Sequence, residues 1–418
     1  MPVRSGALPA AVAALLASTI VVARLLLVAH GNPADFVDAG RSFVNPAVAP
    51  ASLPVHASGY DGQFYYRLAL DPFDYSRTAF GITLDVPYRI ARIGYPLVAW
   101  LLSLGGTPAL VPWALVGVNV AALGALGWGG ALIAVQGGRT RWLGLLVPGY
   151  FGLLMSLARD TTEPLELALV VSALLAVSRS RNGLAAALLS LAVLTRETAT
   201  IAVAAIALGD LYERAAARRR GWPQPTPVRA ATWIVPSLVF FAWQAALWGV
   251  LGSIPLLGDT RSNAGAPFSG LWQAIVLHLA HPAAAKSLFW FGQAGVLVAV
   301  WVWAAVASPG LLGDIRETYA RPPAGGPQLS AGVTGTGVLS GGTLVRMAVP
   351  MAFLGNVVLA LSLPPIIWDH ALADLRPLAD SFVFAVLVLL SSRLRLRLPA
   401  AATALAWIVV AAYRMTSL

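Results

Sequence analysis

Apolar runs long enough to cross a lipid bilayer recur from one end of this chain to the other. Hydrophobic residues make up 58% of the 418 residues and charged residues only 11%, and the mean hydropathy is +0.74. These values exclude an ordinary soluble domain. No polar stretch is long enough to bury a core of its own. The sequence therefore predicts a single all-α, polytopic transmembrane helical protein.

Arginine clusters in short connections orient the predicted spans, because cytoplasmic loops of membrane proteins carry excess arginine. The clusters placed inside are Arg139/Arg141, Arg179/Arg181, Arg214/Arg218/Arg219/Arg220/Arg229 and Arg393/Arg395/Arg397. The resulting path has about 11 spans, which cover roughly 8–29, 108–135, 142–158, 163–179, 183–196, 198–211, 230–250, 287–307, 345–366, 379–392 and 398–413. The segment 95–104 is too short to span and is predicted to be a half-buried helix on the outer side.

This path places nearly all acidic residues on the outer face. Only Asp210, Glu213, Asp314 and Glu317 of the 18 acids fall inside. Acids contribute little to topology, so the asymmetry is independent of the rule that oriented the spans. It predicts an extracytoplasmic working face, with a long first outer loop, 30–94, that carries interfacial helices.

Two modules are predicted from the distribution of polar motifs. Residues 1–215 form the catalytic transmembrane module, which includes the outer loop. Residues 216–418 form a more variable transmembrane module with a cytoplasmic linker at 308–344, whose Gly, Ser, Thr and Pro content is typical of a flexible connection.

The net charge of +10 does not indicate nucleic acid as a partner, because arginine-rich cytoplasmic loops account for it. The expected partners are membrane lipids. The chain contains no cysteine, so neither disulfides nor thiolate ligands contribute. The predicted location is a bacterial-type plasma membrane, which the chain crosses several times.

The outer loop contains an aspartate surrounded by aromatic residues, at 59–66. Asp61 lies between two glycines, which allow a ligand to approach the backbone closely. Tyr60, Tyr65 and Tyr66 offer flat surfaces of the kind that pack on sugar rings. An interfacial aromatic belt with a solvated aspartate explains the same pattern. Asp38, three residues after Asp35, is a secondary candidate for the same role, although both acids are also suited to capping a surface helix.

Charged residues recur where the chain meets the outer membrane surface. Arg89 and Arg92 suit a lipid phosphate, and snorkelling explains them equally well. Arg159 precedes Glu163, which opens a predicted helix and whose charge also complements the helix dipole.

Two further motifs place charges beside apolar segments. Arg196 and Glu197 interrupt an apolar stretch of nearly thirty residues, where charges usually line a cavity or pair with each other. A last motif extends from Trp368 through Arg376 to Asp380; it either binds an acceptor or closes the second module.

Taken in order, these motifs resemble the GT-C superfamily of polytopic glycosyltransferases, in particular the glycosylphosphatidylinositol mannosyltransferase II (PIG-V-like) group and its bacterial relatives. The stretch 60–66 is similar to that group's acid–aromatic motif, including Gln63, and 95–97 to its tyrosine–proline entry. Thr162-Glu163 resembles its threonine–glutamate element, and 195–198 its threonine–arginine–x–threonine turn. The resemblance covers about 55–210. Tyr60 replaces tryptophan, and Glu197 stands where relatives often have proline.

The resemblance implies an inverting transfer of a mannose-like sugar, or another pentose or hexose, from a polyprenyl-phosphate donor. The acceptor is a lipid, glycan or protein on the outer face. Such a donor needs a cationic phosphate site and a carboxylate base. The implied base is Asp61. The phosphate ligands are Arg196, Arg159 and Arg89, and the substrate contacts are Tyr60, Gln63, Tyr65, Tyr66, Glu163 and Glu197.

No cofactor is certain, and a divalent metal is possible without being indicated. The five histidines are scattered and form no acid–histidine helical pair. Two other functions remain open: a polytopic transporter or lipid flippase, and a non-catalytic membrane scaffold with a GT-C-like fold. A transporter predicts an internal repeat and ionisable residues near the middle of the membrane, and neither is evident.

Overall fold

The computed structural model describes residues 2–86, 88–258, 264–282, 284–320, 341–369, 376–392 and 394. The chain is mostly helical. Its helices are α1 (Pro2–Leu27), α2 (Gly62–Leu70), α3 (Tyr88–Ala91), α4 (Gly94–Leu102), α5 (Val111–Gln136), α6 (Phe151–Ala158), α7 (Glu163–Ser178), α8 (Asn182–Thr195), α9 (Ala199–Arg220), α10 (Pro227–Leu251), α11 (Ser269–Leu279), α12 (Ala285–Ala320), α13 (Gly341–Leu361), α14 (Pro365–Asp369) and α15 (Ala379–Ser391). Short 3₁₀ turns occupy Pro33–Val37, Arg141–Leu146 and Arg376–Leu378.

Five helices in the described part of the chain are long and apolar enough to cross a membrane. They are Gly6–Leu27, Val111–Gln136, Pro227–Leu251, Lys286–Gly313 and Gly342–Leu361. The predicted helical class is confirmed, and these helices are compatible with a membrane protein. The count of about 11 spans stays a prediction. The predicted span 398–413 lies outside the described residues.

Two predicted segments differ from the structure. The expected span 142–158 is divided into a 3₁₀ turn and the eight-residue α6, because Pro148 and Gly149 interrupt the helix between them. The predicted linker 308–344 is helical at both ends, since α12 continues to Ala320 and α13 begins at Gly341. Residues 321–340 lie outside the description.

The first outer loop folds on the predicted outer side around α2, α3 and α4. Two short strand pairs brace it: β1 (Ala39–Gly40) runs parallel to β2 (Val55–His56), and β3 (Thr78–Ala79) runs antiparallel to β4 (Ile82–Thr83). The aromatic side chains of α2 are buried in a cluster with Val37, Ile82 and Tyr95. The loop therefore has a small apolar core of its own, which holds its polar residues in place.

Close helix contacts bring the sequence motifs together. Helix α8 packs against both α7 and α10, and α9 packs against α13, which also contacts α15. Gly94, at the start of α4, lies so close to the end of α8 that a Cβ there would be 2.4 Å from Thr195 Oγ1. The outer loop is thereby fixed beside the turn between α8 and α9, where Arg196 and Glu197 lie.

Candidate functional site

A cavity of 640 Å³ extends from the outer loop into the space between the helices. Its polar end is lined by Asp61, Arg92, Arg196, Glu197 and Arg376. Its remaining wall is mostly apolar and comes from α8, α9, α10, α13 and α14: Val193, Ile201, Val203, Ala204, Ala207, Pro236, Phe240, Phe241, Leu359, Leu363 and Ile367. The cavity therefore combines a charged head region with a hydrophobic groove.

Asp61 lies immediately before α2, and its side chain is only 13% exposed. Its Oδ1 is 2.7 Å from Arg89 Nη1, and its Oδ2 accepts a hydrogen bond of 2.5 Å from Arg376 Nη2. Burial by itself would raise the pKa of the Asp61 carboxyl, but Arg89 and Arg376 outweigh burial and hold that pKa well below its usual value. Asp61 is therefore ionised at neutral pH.

Arg89 and Arg376 have further partners on the side away from Asp61. Arg89 donates two hydrogen bonds to Asp85, of 3.0 and 3.1 Å. Arg376 Nε is 3.4 Å from Glu163 Oε1, and its guanidinium carbon lies 4.8 Å from the centre of the Tyr60 ring. Asp61 is thus one link in a longer network of ion pairs.

Arg196 occupies the turn between α8 and α9 and is almost fully buried. Its Nη1 donates a 2.7 Å hydrogen bond to Asp380 Oδ2 at the start of α15. Its Nε is 3.7 Å from Glu163 Oε1 and finds no hydrogen-bond acceptor among the described residues. Glu163 Oε2 accepts a hydrogen bond from Ser156. The guanidinium of Arg196 is therefore held between two carboxylates, those of Asp380 and Glu163.

Arg92 and Glu197 form the second ion pair that lines the cavity. Arg92 Nε donates a 3.0 Å hydrogen bond to Glu197 Oε2, and Arg92 Nη2 bonds the other carboxylate oxygen. This bidentate geometry fixes both side chains. Arg92 also approaches the Tyr65 hydroxyl at 3.4 Å, and Tyr88 contributes its ring to the cavity wall.

The structure brings some predicted site residues to the cavity and leaves others outside it. Asp61, Arg196 and Glu197 line it, and Arg89 and Glu163 contact the residues that do. Asp38 pairs with Arg159 at 3.5 Å, and Arg159 lies over the Tyr60 ring at 4.4 Å. None of these three residues lines the cavity, but the Tyr60 ring also contacts the guanidinium of Arg376, which does.

Three predicted substrate contacts are buried in the outer loop and do not line the cavity. Gln63 is 1% exposed and Tyr65 and Tyr66 are 0% exposed. Gln63 Oε1 accepts a hydrogen bond from the backbone N–H of Gly40, and both tyrosines belong to the core of the outer loop. They support the loop, because α2 is buried along its whole length.

Tyr88 is not among the residues predicted from the sequence, which leaves two interpretations open for Arg92 and for Arg376. Arg92 is suited either to a lipid phosphate or to snorkelling, and Arg376 belongs to a motif that either binds an acceptor or closes the second module. Tyr88, Arg89 and Arg92 lie at positions i, i+1 and i+4, so Tyr88 and Arg92 share a helical face. That spacing is the one signal in the sequence that pointed to them.

Comparison of the chain with protein-family models, with curated proteins and with solved structures finds no match. Among the described residues, no group of three or more His, Asp or Glu side chains is arranged to hold a metal ion. What this site does therefore has to be argued from its own geometry and charge.

Proposed function

We propose that this chain is a GT-C-type membrane glycosyltransferase that moves a sugar from a polyprenyl-phosphate donor to a lipid, glycan or protein acceptor on the extracytoplasmic face, with inversion at the anomeric carbon. One observation carries this proposal: a single cavity joins an arginine-rich end to an apolar groove. A lipid-linked phosphate has the same two-part chemistry, with an anionic head and a hydrocarbon tail.

The groove supports a lipid tail as the occupant of the inner part of the cavity. It follows α9 from Thr200 to Ala207, which at 1.5 Å per residue is about 10 Å. Its lining includes Phe240, Phe241 and Leu359 from the neighbouring helices. A water-soluble nucleotide sugar would gain nothing from such a wall, whereas a polyprenyl chain would bury its hydrocarbon there.

The polar end supports a phosphate at the opening of the groove. Arg92, Arg196 and Arg376 line it together with two carboxylates, so three guanidinium groups are gathered at this end. Arginine binds phosphate oxygens with its planar fork of N–H donors and remains charged at any working pH. We assign the donor phosphate to this end, with Arg196 as its predicted ligand.

Asp61 is the proposed general base. It would accept the proton of the acceptor hydroxyl as that oxygen attacks the anomeric carbon. The new glycosidic C–O bond forms while the bond between the anomeric carbon and the phosphate oxygen breaks. Polyprenyl phosphate leaves with the bonding electrons. Arginines beside its oxygens would stabilise the negative charge that develops on it.

The predicted orientation has support from the opposite end of the molecule. Arg139, from one connection placed inside, donates hydrogen bonds to the backbone oxygens of Leu390, Ser392 and Leu394 at the end of α15. Two predicted cytoplasmic segments therefore meet. This arrangement is consistent with Asp61 on the extracytoplasmic side.

The test is sugar transfer by the purified full-length protein, supplied with a panel of polyprenyl-phosphate sugars and candidate acceptors. Asp61→Asn is expected to reduce the rate by about 10²–10⁴-fold, the usual contribution of a general base. Asp85→Asn is the matched control, because Asp85 also pairs with Arg89 and does not line the cavity. Full activity in Asp61→Asn would reject the base. Binding of lipid phosphate without any transfer would favour a lipid transporter instead.

A further inference from the structure

The polar end of the cavity is internally paired. Each arginine that lines it already bonds a carboxylate: Arg92 bonds Glu197, Arg196 bonds Asp380, and Arg376 bonds Asp61. A phosphate that enters this end must therefore compete with a carboxylate of the protein. The effect of donor binding on the rest of the site depends on which of these ion pairs breaks.

The Asp61–Arg376 pair is the one that can separate most easily. Both side chains line the cavity, and each keeps a second partner when they part. Asp61 retains Arg89 at 2.7 Å, and Arg376 retains Glu163 at 3.4 Å. Neither group is left as an uncompensated buried charge, which is the costly outcome when an ion pair breaks.

The other two pairs are held differently. Arg92 and Glu197 share two hydrogen bonds, so both must break together. Asp380, the partner of Arg196, is not among the residues that line the cavity. An entering phosphate therefore meets Asp61 as its direct competitor for an arginine.

We propose that the donor phosphate replaces Asp61 on Arg376, so that donor binding itself releases the catalytic carboxylate. This inference rests on the proposed function and deepens it. It makes Arg376 a phosphate ligand, in addition to the predicted Arg196, and makes Asp61 an occupant of the phosphate site while the donor is absent. After the exchange, Asp61 faces the acceptor with Arg89 as its remaining direct ion-pair partner.

The exchange makes Asp61 a stronger base. Charged or titratable groups from four segments of the chain interact electrostatically with Asp61. They are Tyr88 and Arg89 in α3, Arg92 after it, Arg159 after α6, and Arg376 before α15. Burial raises the pKa of Asp61, and the nearby guanidinium groups lower it more strongly. Taking Arg376 away from the carboxylate raises that pKa, so the base is stronger only when the donor is in place.

Binding of a polyprenyl monophosphate without a sugar tests the exchange independently of catalysis. The full-length protein is held in detergent or nanodiscs, and affinity is measured by titration with polyprenyl phosphate and with the neutral polyprenol. Asp61→Asn removes the competitor and is expected to tighten polyprenyl phosphate binding by about tenfold or more, because a charge-assisted hydrogen bond no longer has to be broken. Polyprenol affinity should not change.

Four further variants make the result specific. Asp85→Asn is the control and should leave the affinity for polyprenyl phosphate within about twofold, a difference of roughly 0.4 kcal/mol. Arg376→Gln should weaken that affinity, and Arg376→Lys should restore part of it. In the double variant Asp61→Asn/Arg376→Gln, the tightening caused by Asp61→Asn should disappear, since the two changes act on one contact. Each variant is compared as a monodisperse sample.

The outcomes separate this inference from the proposed function. If the wild type transfers sugar but Asp61→Asn binds polyprenyl phosphate no more tightly, or more weakly, the exchange is overturned and the glycosyltransferase proposal stands. If Asp61→Asn tightens binding and the tightening survives Arg376→Gln, Arg376 is not the residue exchanged. If the wild type and Asp61→Asn both bind polyprenyl phosphate no better than polyprenol, both proposals fail.

Discussion

Two aspartates near the predicted outer face are buried with opposite consequences. Asp61 faces two guanidinium groups, which keep it ionised. Asp160 is 0% exposed, and neither of its carboxyl oxygens has a hydrogen-bond partner among the described residues. Burial raises the pKa of Asp160 well above its ordinary value, and the charge of Arg24 offsets this only in part. An aspartate is therefore suited to a reactive role at position 61, whereas at position 160 its burial destabilises the folded protein.

Asp160→Asn should stabilise the protein at neutral and alkaline pH. A carboxyl whose pKa is raised on folding contributes most stability below its unfolded pKa, near 3.9, and loses it as the pH rises toward the folded value. The amide has nearly the same shape without that titration, and asparagine tolerates the positive φ of 46° at this position. Thermal unfolding followed by tryptophan fluorescence should show a gain in Tm at pH 8 that shrinks toward pH 4. A gain or loss that is equal at every pH would contradict this account.

At the scale of helices and turns, the sequence predicted where motifs lie better than what they contact. Glu163 does open α7, and Arg196 does occupy a turn between two helices, because Pro164 is suited to a first helical turn and charges seldom sit in an apolar helix interior. The partner of Asp61 was not predictable. Arg376 is 315 residues away, and no local pattern specifies which arginine will meet a given carboxylate. The burial of Tyr65 was equally hard to predict, because an aromatic ring suits a core as well as a surface.

Gly62→Ala tests how closely the start of α2 must fit its neighbours. A Cβ at Gly62 would lie 2.4 Å from the backbone oxygen of Arg159 and 2.6 Å from that of Val37. Backbone atoms cannot move aside as a flexible side chain can, so the helix should shift and carry Asp61 with it. We expect a loss of about 1–3 kcal/mol in the free energy of unfolding, typical of overpacking, and reduced sugar transfer.

Gly117→Ala in α5 is the matched control, because a Cβ there has no neighbouring atom within 4 Å. It should leave Tm and transfer unchanged or slightly raise Tm. Equal effects of the two substitutions on Tm and on transfer would show that α2 tolerates displacement and that the fit at Gly62 is unimportant.

At the scale of the whole molecule, ion pairs tie the two predicted modules together at two levels along α9. The outer group lies just before α9, where Arg196 bonds Asp380. The inner group lies near the middle of α9, where Arg229 of α10 bonds both Asp210 and Glu213. Asp210 comes 13 positions after Glu197, which is about 20 Å along a helix. Arg196 lines the cavity, whereas no member of the inner group does, so we expect the inner group to act on stability.

Arg229→Met and Arg196→Met should therefore have different effects although both remove a buried guanidinium. Arg229→Met deprives two buried carboxylates of a shared cation, and we expect a loss of about 3–5 kcal/mol in the free energy of unfolding. Below its lowered Tm, the folded protein should bind polyprenyl phosphate with wild-type affinity, because Arg229 pairs with Asp210, about 20 Å along α9 from the proposed phosphate site. Arg196→Met should also lower Tm, but it should weaken that binding by about tenfold or more, since Arg196 is the proposed phosphate ligand. Titrating both variants with polyprenyl phosphate at one temperature below both Tm values measures the difference. If both variants bind polyprenyl phosphate equally weakly, the inner group also shapes the cavity. Stability and binding would then not be separated along α9.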